Sequence, residues 1–201
     1  MAPETTATQQ AQIVPLGTRN GLEMGILRRV AKTQGKIIAK PDSPDLIDGV
    51  LIAPLTIYPD DRGFFTELAR LGKGLAAKMV PDGERQIQVS LTLTYPGTIK
   101  AIHYHSEQTD LWAPCSGMMQ VFLYDLRVRC KTFGAINTIF AGHFQPWEIL
   151  IPPGVAHGYK ILGIEPIQLV YFTDRYYNPA DELRLPYDHP DIAYDWETQH
   201  K

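Results

Sequence analysis

The chain has 201 residues, 44% of them hydrophobic and 20% charged, enough for one substantial core but not for two full domains. Its 19 basic and 22 acidic residues leave a net charge of −3, so there is no basic field to hold a nucleic-acid backbone. No apolar run is long enough to suggest a membrane span, and the two cysteines, Cys115 and Cys130, are too few for a disulfide framework and lack a metal-pair spacing. They read as reduced thiols of a cytoplasmic protein.

The opening MAPETTATQQAQ is polar, with neither an apolar segment nor a basic lead-in. It is expected to be a disordered tail and not a secretory signal. GLEMGILRRVAKTQGK has an ambiguous period that suits a short helix or an arm. Residues 1–44 are therefore read as an N-terminal tail or arm, and 45–201 as one domain. Within that domain, apolar and β-branched runs are separated by Pro, Gly and Asp: VLIAPLTIY, QIQVSLTLT, TIKAIHY, MMQVFLYDL, NTIFAG, WEILIPP, HGYKIL and IQLVYFTD. Only TELARLGKGLAAKM reads as a helix, and Gly72 and Gly74 interrupt it. Many short strands at near-regular spacing predict an all-β sandwich or closed barrel.

The stretch GTIKAIHYHSEQTDLWAPCSG concentrates the chemistry. Strand alternation puts His103 and His105 on one face, Asp110 follows a turn-like SEQT, and IPPGVAHGY supplies His157 downstream. The spacing Gly-x5-His-x-His-x4-Asp-x6-Gly, then Pro-x-Gly-x2-His, resembles the two motifs of the cupin superfamily. That resemblance implies a double-stranded β-helix, or jelly-roll barrel, with the N-terminal arm outside it. In metal-binding cupins the corresponding groups surround one ion. Three imidazoles and a carboxylate suit Zn, Fe, Ni or Mn, so a metal-dependent enzyme using His103, His105, Asp110 and His157 is one alternative.

A longer resemblance covers roughly residues 47–196. PDDRGFFTEL, GTIKAIHYH, YDLR followed by TFG, IPPGVAHGY, LVYFTDRYYNPADE and HPDIAYDW occur in the order found in the dTDP-4-dehydrorhamnose 3,5-epimerase family. The resemblance implies a metal-free and cofactor-free isomerase on a cupin barrel, working as a homodimer on a nucleotide-linked, dTDP-type 4-keto-6-deoxyhexose in deoxysugar and polysaccharide biosynthesis. His103 falls on the family's catalytic base and Tyr171 on its acid. Arg62, Phe64 and Glu67 match residues that contact the nucleotide-sugar, with Arg62 reaching the partner's pocket. Gln88 and Tyr177 match the sugar site, His157 matches a histidine near the base, and Lys100 stands for an arginine that serves the diphosphate.

Three departures accompany the match. The family carries Gln at His105, a lysine near Asp110 that helps hold an enolate, and a C-terminal aspartate partner for the base. Asp110 is one group that could orient an imidazole in that aspartate's stead. A barrel that only binds a sugar nucleotide is the other alternative. His143, His189 and His200 carry no motif and are expected at the surface; Asp125 and Arg127 are expected to make structural contacts, and Cys115 to be inert packing.

Overall fold

In the computed structural model, which describes residues 12–79 and 86–198, alternation of side chains along short strands builds two facing sheets. In chain order the strands are β1 (Ile13–Arg19), β2 (Leu22–Leu27), β3 (Lys36–Ile37), β4 (Leu51–Pro54), β5 (Ile57–Asp60) and β6 (Gly63–Thr66). They continue with β7 (Gln88–Thr94), β8 (Ile99–Tyr104), β9 (Asp110–Ser116), β10 (Met118–Asp125) and β11 (Ile136–Gly142). The last four are β12 (Trp147–Ile151), β13 (Val155–Leu162), β14 (Ile167–Thr173) and β15 (Leu183–Arg184). One sheet runs β15-β8-β13-β10-β11-β3 and the other β4-β12-β9-β14-β7, with β1-β2 and β5-β6 as separate hairpins. This is the jelly-roll barrel expected from the motif spacing.

Strand β10 shows why both faces of the six-stranded sheet are covered. Met119, Val121 and Leu123 point into the barrel, where they meet Trp112, Ile149, Ile151 and Leu169 of the other sheet. Phe122 and Tyr124 point outward, into a second cluster with Met24, Ile26, Ile192, Tyr194 and Trp196. Each fully buried side chain of this size contributes about 1.5–3 kcal/mol, so the outer layer is an integral part of the fold.

That layer includes the N-terminal arm. Of the two forms its sequence suited, helix or arm, residues 13–27 take no helix and instead form a hairpin docked on the sheet. Its tip is Asn20-Gly21, with φ of 47° and 78°, the backbone that a two-residue hairpin turn requires. The Tyr124 hydroxyl, which accepts from Leu27 N–H at 2.8 Å, pins it down. The sequence period was obscured by a register shift between Pro15 and Gly17. The first eleven residues, where a tail was expected, lie outside the described residues.

The helix expected over TELARLGKGLAAKM is confined to one 3-10 segment, Gly74–Met79. Gly72 and Gly74 take φ of +85° and +56°, outside the right-handed helical region, so the longer helix cannot propagate. Asp125 and Arg127 make the structural contact expected of them, Arg127 Nε donating to Asp125 Oδ1 at 2.7 Å.

Candidate active site

The chemistry collects at one end of the barrel, in a cavity of about 300 Å³ between the two sheets. His103 reaches it from β8, His157 from β13, Asp110 and Trp112 from β9, and Tyr171 from β14. Antiparallel pairing places His157 directly opposite His103. The register slips immediately afterwards, at Gly158, where a Cβ would lie 2.4 Å from that of Ala101. Glycine is what lets the two histidine strands approach here. The Pro152-Pro153-Gly154 turn launches β13, and Gly154 N–H donates to His105 O at 2.8 Å, tying the second motif to the first.

His103 has a partner that the sequence reading missed. Its Nδ1 lies 2.9 Å from Glu182 Oε1. Glu182 precedes the two-residue strand β15, which pairs with β8 so that Arg184 stands opposite His103. Arg184 in turn donates to Glu182 at 3.1 Å. Burial lowers the pKa of His103, against the opposing pull of Glu182, so the ring is a neutral base near pH 7. Burial raises the Glu182 carboxyl, but the neighbouring His103, His105 and Arg184 outweigh it and hold the group below its usual range. The hydrogen bond gives His103 the Nδ1–H tautomer and leaves Nε2 as its proton acceptor.

Asp110 faces a different histidine. It lies 3.5 Å from His157 Nε2 and accepts from Gln108 Nε2 at 2.7 Å and Trp112 Nε1 at 3.2 Å. Burial pushes its carboxyl up, against His105, Gln108 and Trp112. Burial, reinforced by His105, pushes His157 down to about 3, so that ring stays neutral. His157 packs edge-on against Trp112, with ring centroids 5.2 Å apart.

The turn that carries Gln108 is clamped by a strap of chain after β14. Asp181 accepts from Ser106 N–H at 2.7 Å and from Glu107 and Gln108 N–H at 3.2 Å each. Asp174 accepts from Thr109 N–H at 3.0 Å, and Arg175 pairs with Glu107. The strap also positions Gln88, whose side-chain oxygen accepts from Tyr177 N–H at 3.0 Å.

Of the residues singled out by sequence, His103, His105, Asp110, His157, Tyr171, Tyr177 and Lys100 line the cavity. Gln88 stands behind Tyr177. Arg62, Phe64 and Glu67 are not brought to it within the chain. Arg62 pairs with Asp60 on the β5–β6 hairpin, Phe64 is exposed, and Glu67 pairs with Arg70 beside a second cavity. Among the described residues, His105, Asp110 and His157 are the group with the geometry to hold a metal ion. The missed residues are Glu182, Gln108, Trp112 and Arg184. Glu182 closes the quoted block LVYFTDRYYNPADE, but strand alternation gives no sign that it meets β8.

A jelly-roll barrel with a histidine–carboxylate pair and a tyrosine on facing walls of one cavity has the parts of an acid–base enzyme. The family model for dTDP-4-dehydrorhamnose 3,5-epimerase matches residues 45–201. The spore coat polysaccharide biosynthesis protein SpsL of Bacillus subtilis is 45% identical over 156 residues, covering 77% of this chain and 99% of that protein. A dTDP sugar isomerase structure from Desulfovibrio desulfuricans G20 is similar with a TM-score of 0.67 and 26% identity, over 75% of this chain and 92% of that one. The dTDP-6-deoxy-D-glucose-3,5-epimerase RmlC of Legionella pneumophila, solved with dTDP-4-keto-L-rhamnose, is similar with a TM-score of 0.65 and 25% identity, over 86% and 85%. The chain belongs to the dTDP-4-dehydrorhamnose 3,5-epimerase family. It is an isomerase of the carbohydrate-epimerase kind.

Proposed function

We propose that the cavity epimerises a nucleotide-linked 4-keto-6-deoxyhexose at C3, C5 or both, with His103 as base and Tyr171 as acid. One observation carries this assignment: His103 belongs to the six-stranded sheet and Tyr171 to the five-stranded sheet, and both line the same cavity. A 4-keto group acidifies the hydrogens on both neighbouring carbons. Inversion requires a proton to leave one face of the sugar and another to arrive on the opposite face, so the two groups must stand on opposing walls. No electrons leave the sugar, so no redox cofactor is required. The ligand of the Legionella relative belongs to this substrate class.

The other assignments follow from the family match. Lys100, at the cavity and donating to Thr92 Oγ1 at 2.8 Å, serves the diphosphate. Gln88 and Tyr177 serve the sugar and His157 stands near the base, while His105 and Asp110, which depart from the family pattern, are assigned to substrate binding because they line the cavity. The enzyme works in the cytoplasm, with neither nucleic acid nor membrane as partner; among the described residues no helix is long and apolar enough to cross a membrane. The test is solvent exchange: in D2O the enzyme should place deuterium on C3 or C5 of dTDP-4-keto-6-deoxyglucose. No exchange with any nucleotide-linked 4-keto sugar would remove the assignment.

The functional unit in this reading is a homodimer. Strand β7 is an edge strand whose polar residues Ser90, Thr92 and Thr94 face inward. Its apolar Val89, Leu91 and Leu93 face outward, 57%, 63% and 49% exposed. An apolar row on an open edge is a surface that a second copy would cover. The β5–β6 hairpin, with Phe64 and Phe65 exposed, would then carry Arg62, Phe64 and Glu67 to the partner's cavity. Light scattering of the full chain should give twice the chain mass, and Leu91→Glu should give a monomer. A wild-type monomer at micromolar concentration would contradict the dimer.

A further inference from the structure

Glu182 sits where the fold gives it little support of its own. Strand β15, which follows it, is two residues long and forms the outer edge of the six-stranded sheet, paired on one side only, with β8. So short an edge strand supplies few ladder bonds. The place of Glu182 therefore depends on what holds residues 178–181 before it. On the cavity side they are held by the turn after β8. The Ser106 hydroxyl donates to Asp181 Oδ1 at 2.6 Å, and His105 Nδ1 donates to the Asp181 carbonyl at 2.8 Å.

The hairpin of β1 and β2 reaches the same strap from outside the barrel. Asn20 Nδ2 donates to Ser106 Oγ at 3.0 Å, and Arg19 Nη1 donates to Ala180 O at 3.2 Å. A hydroxyl has a single proton, which Ser106 commits to Asp181, and Asn20 fills its acceptor side. A chain of bonds thus runs from Asn20 through Ser106 to Asp181, with Glu182 next in sequence and His103 beyond it at 2.9 Å. The tip is itself firmly based. Met24 and Ile26 are buried in the outer cluster, Gly25 N–H donates to Leu126 O at 2.9 Å, and Val128 N–H donates to Glu23 O at 3.1 Å. The hairpin precedes residue 45, where the family match begins, so it is an addition to the matched barrel.

We infer that Arg19 and Asn20 are positioning residues for the base: they lock the 178–182 strap onto the barrel so that Glu182 stays against His103. The inference rests on the reading of His103 as base and deepens it. Neither residue lines the cavity, so an effect on rate must pass through the strap. With the strap loosened, Glu182 leaves His103 part of the time and the ring can take either tautomer. Only the Nδ1–H form presents Nε2 as proton acceptor, so the competent fraction falls and the rate falls with it.

The test compares Arg19→Ala/Asn20→Gly with wild type, in the full chain. Glycine at position 20 accepts the φ of 47° and keeps the turn, so the side-chain contacts alone are removed. In nitrogen-15 NMR of the substrate-free enzyme, the Nδ1–H tautomer of His103 should lose part of its dominance. With dTDP-4-keto-6-deoxyglucose, kcat should fall about 3–10-fold at unchanged KM, the scale of one or two net hydrogen bonds. Asn20→Asp should behave like Asn20→Gly, because a carboxylate has no proton to give Ser106. Glu23→Ala, which removes the ion pair with Arg129 elsewhere on the same hairpin, should change neither readout. Should the double variant fail to fold, Asn20→Gly alone carries the same two measurements. Wild-type tautomer and wild-type kcat in the tip variants, even with a lower melting temperature, would make the tip a purely structural clasp and overturn the inference. An equal loss in Glu23→Ala would overturn it too, by tracing the effect to the whole hairpin. If no 4-keto sugar nucleotide is turned over, the functional reading fails, and the NMR measurement still decides whether the tip holds Glu182 against His103.

Discussion

His103→Asn should lower turnover of a 4-keto sugar nucleotide by about 10²–10⁴-fold, the range spanned by a positioned general base. Asparagine keeps a donor toward Glu182 but has no basic nitrogen, so the loss should fall on kcat, with KM changed little. The side chain is only partly buried and lies at the cavity, away from the apolar clusters beneath it. The melting temperature should therefore move little. Measuring kcat and KM beside a thermal melt separates the outcomes: a variant that unfolds loses both, whereas a variant lacking only its base loses rate. Residual activity within a few fold of wild type would mean that another group takes the proton.

Glu182→Gln should be nearly as damaging, on the order of 10²–10⁴-fold in kcat, by the logic that governs a carboxylate behind a catalytic histidine. The Glu182 carboxylate accepts from His103 Nδ1 at 2.9 Å and so holds the lone pair on Nε2. A glutamine can turn its amide N–H toward the ring, which favours the opposite tautomer and places the lone pair on the wrong nitrogen. Glu182→Asp should recover part of the rate because it restores the charge at a shorter reach. Nitrogen-15 NMR of His103 provides a readout that a merely structural role would not change: the Nδ1–H tautomer should dominate in wild type and lose that dominance in Glu182→Gln. An unchanged tautomer together with unchanged kcat would exclude this role for Glu182.

The contrast between His103 and Glu182 shows what sequence can reveal about such a site. His103, His105, Asp110 and His157 are legible because glycine and proline spacing marks the strands that carry them, and alternation fixes which face they share. Tyr171 is legible only through the family resemblance, since taken alone it reads as a core aromatic. The Glu182 contact depends on a two-residue edge strand joining β8 from far along the chain. No local period records that pairing. The same limit explains Asp110, which could be read as a partner for the base but faces His157 once β9 and β13 are in place. At the N-terminus the signal is local but masked: Asn20-Gly21 suits a two-residue hairpin turn, and the irregularity between Pro15 and Gly17 breaks the strand alternation leading into it. Arg62, Phe64 and Glu67 illustrate a different limit: within one chain they stand away from the cavity, and the proposed contact with it would need a second copy.

The central claim is that the cavity exchanges protons on the carbons beside a keto group, from one wall to the other. The most direct measurement is carbon-resolved deuterium wash-in, with wild-type enzyme and dTDP-4-keto-6-deoxyglucose in D2O, followed by NMR. Deuterium should enter C3, C5 or both while C1 and C2 keep their protons, and the inverted sugar should carry deuterium at the inverted carbon. Inversion with retention of the original proton at that carbon, or full protonation of both carbons after prolonged incubation with saturating enzyme, would contradict the account.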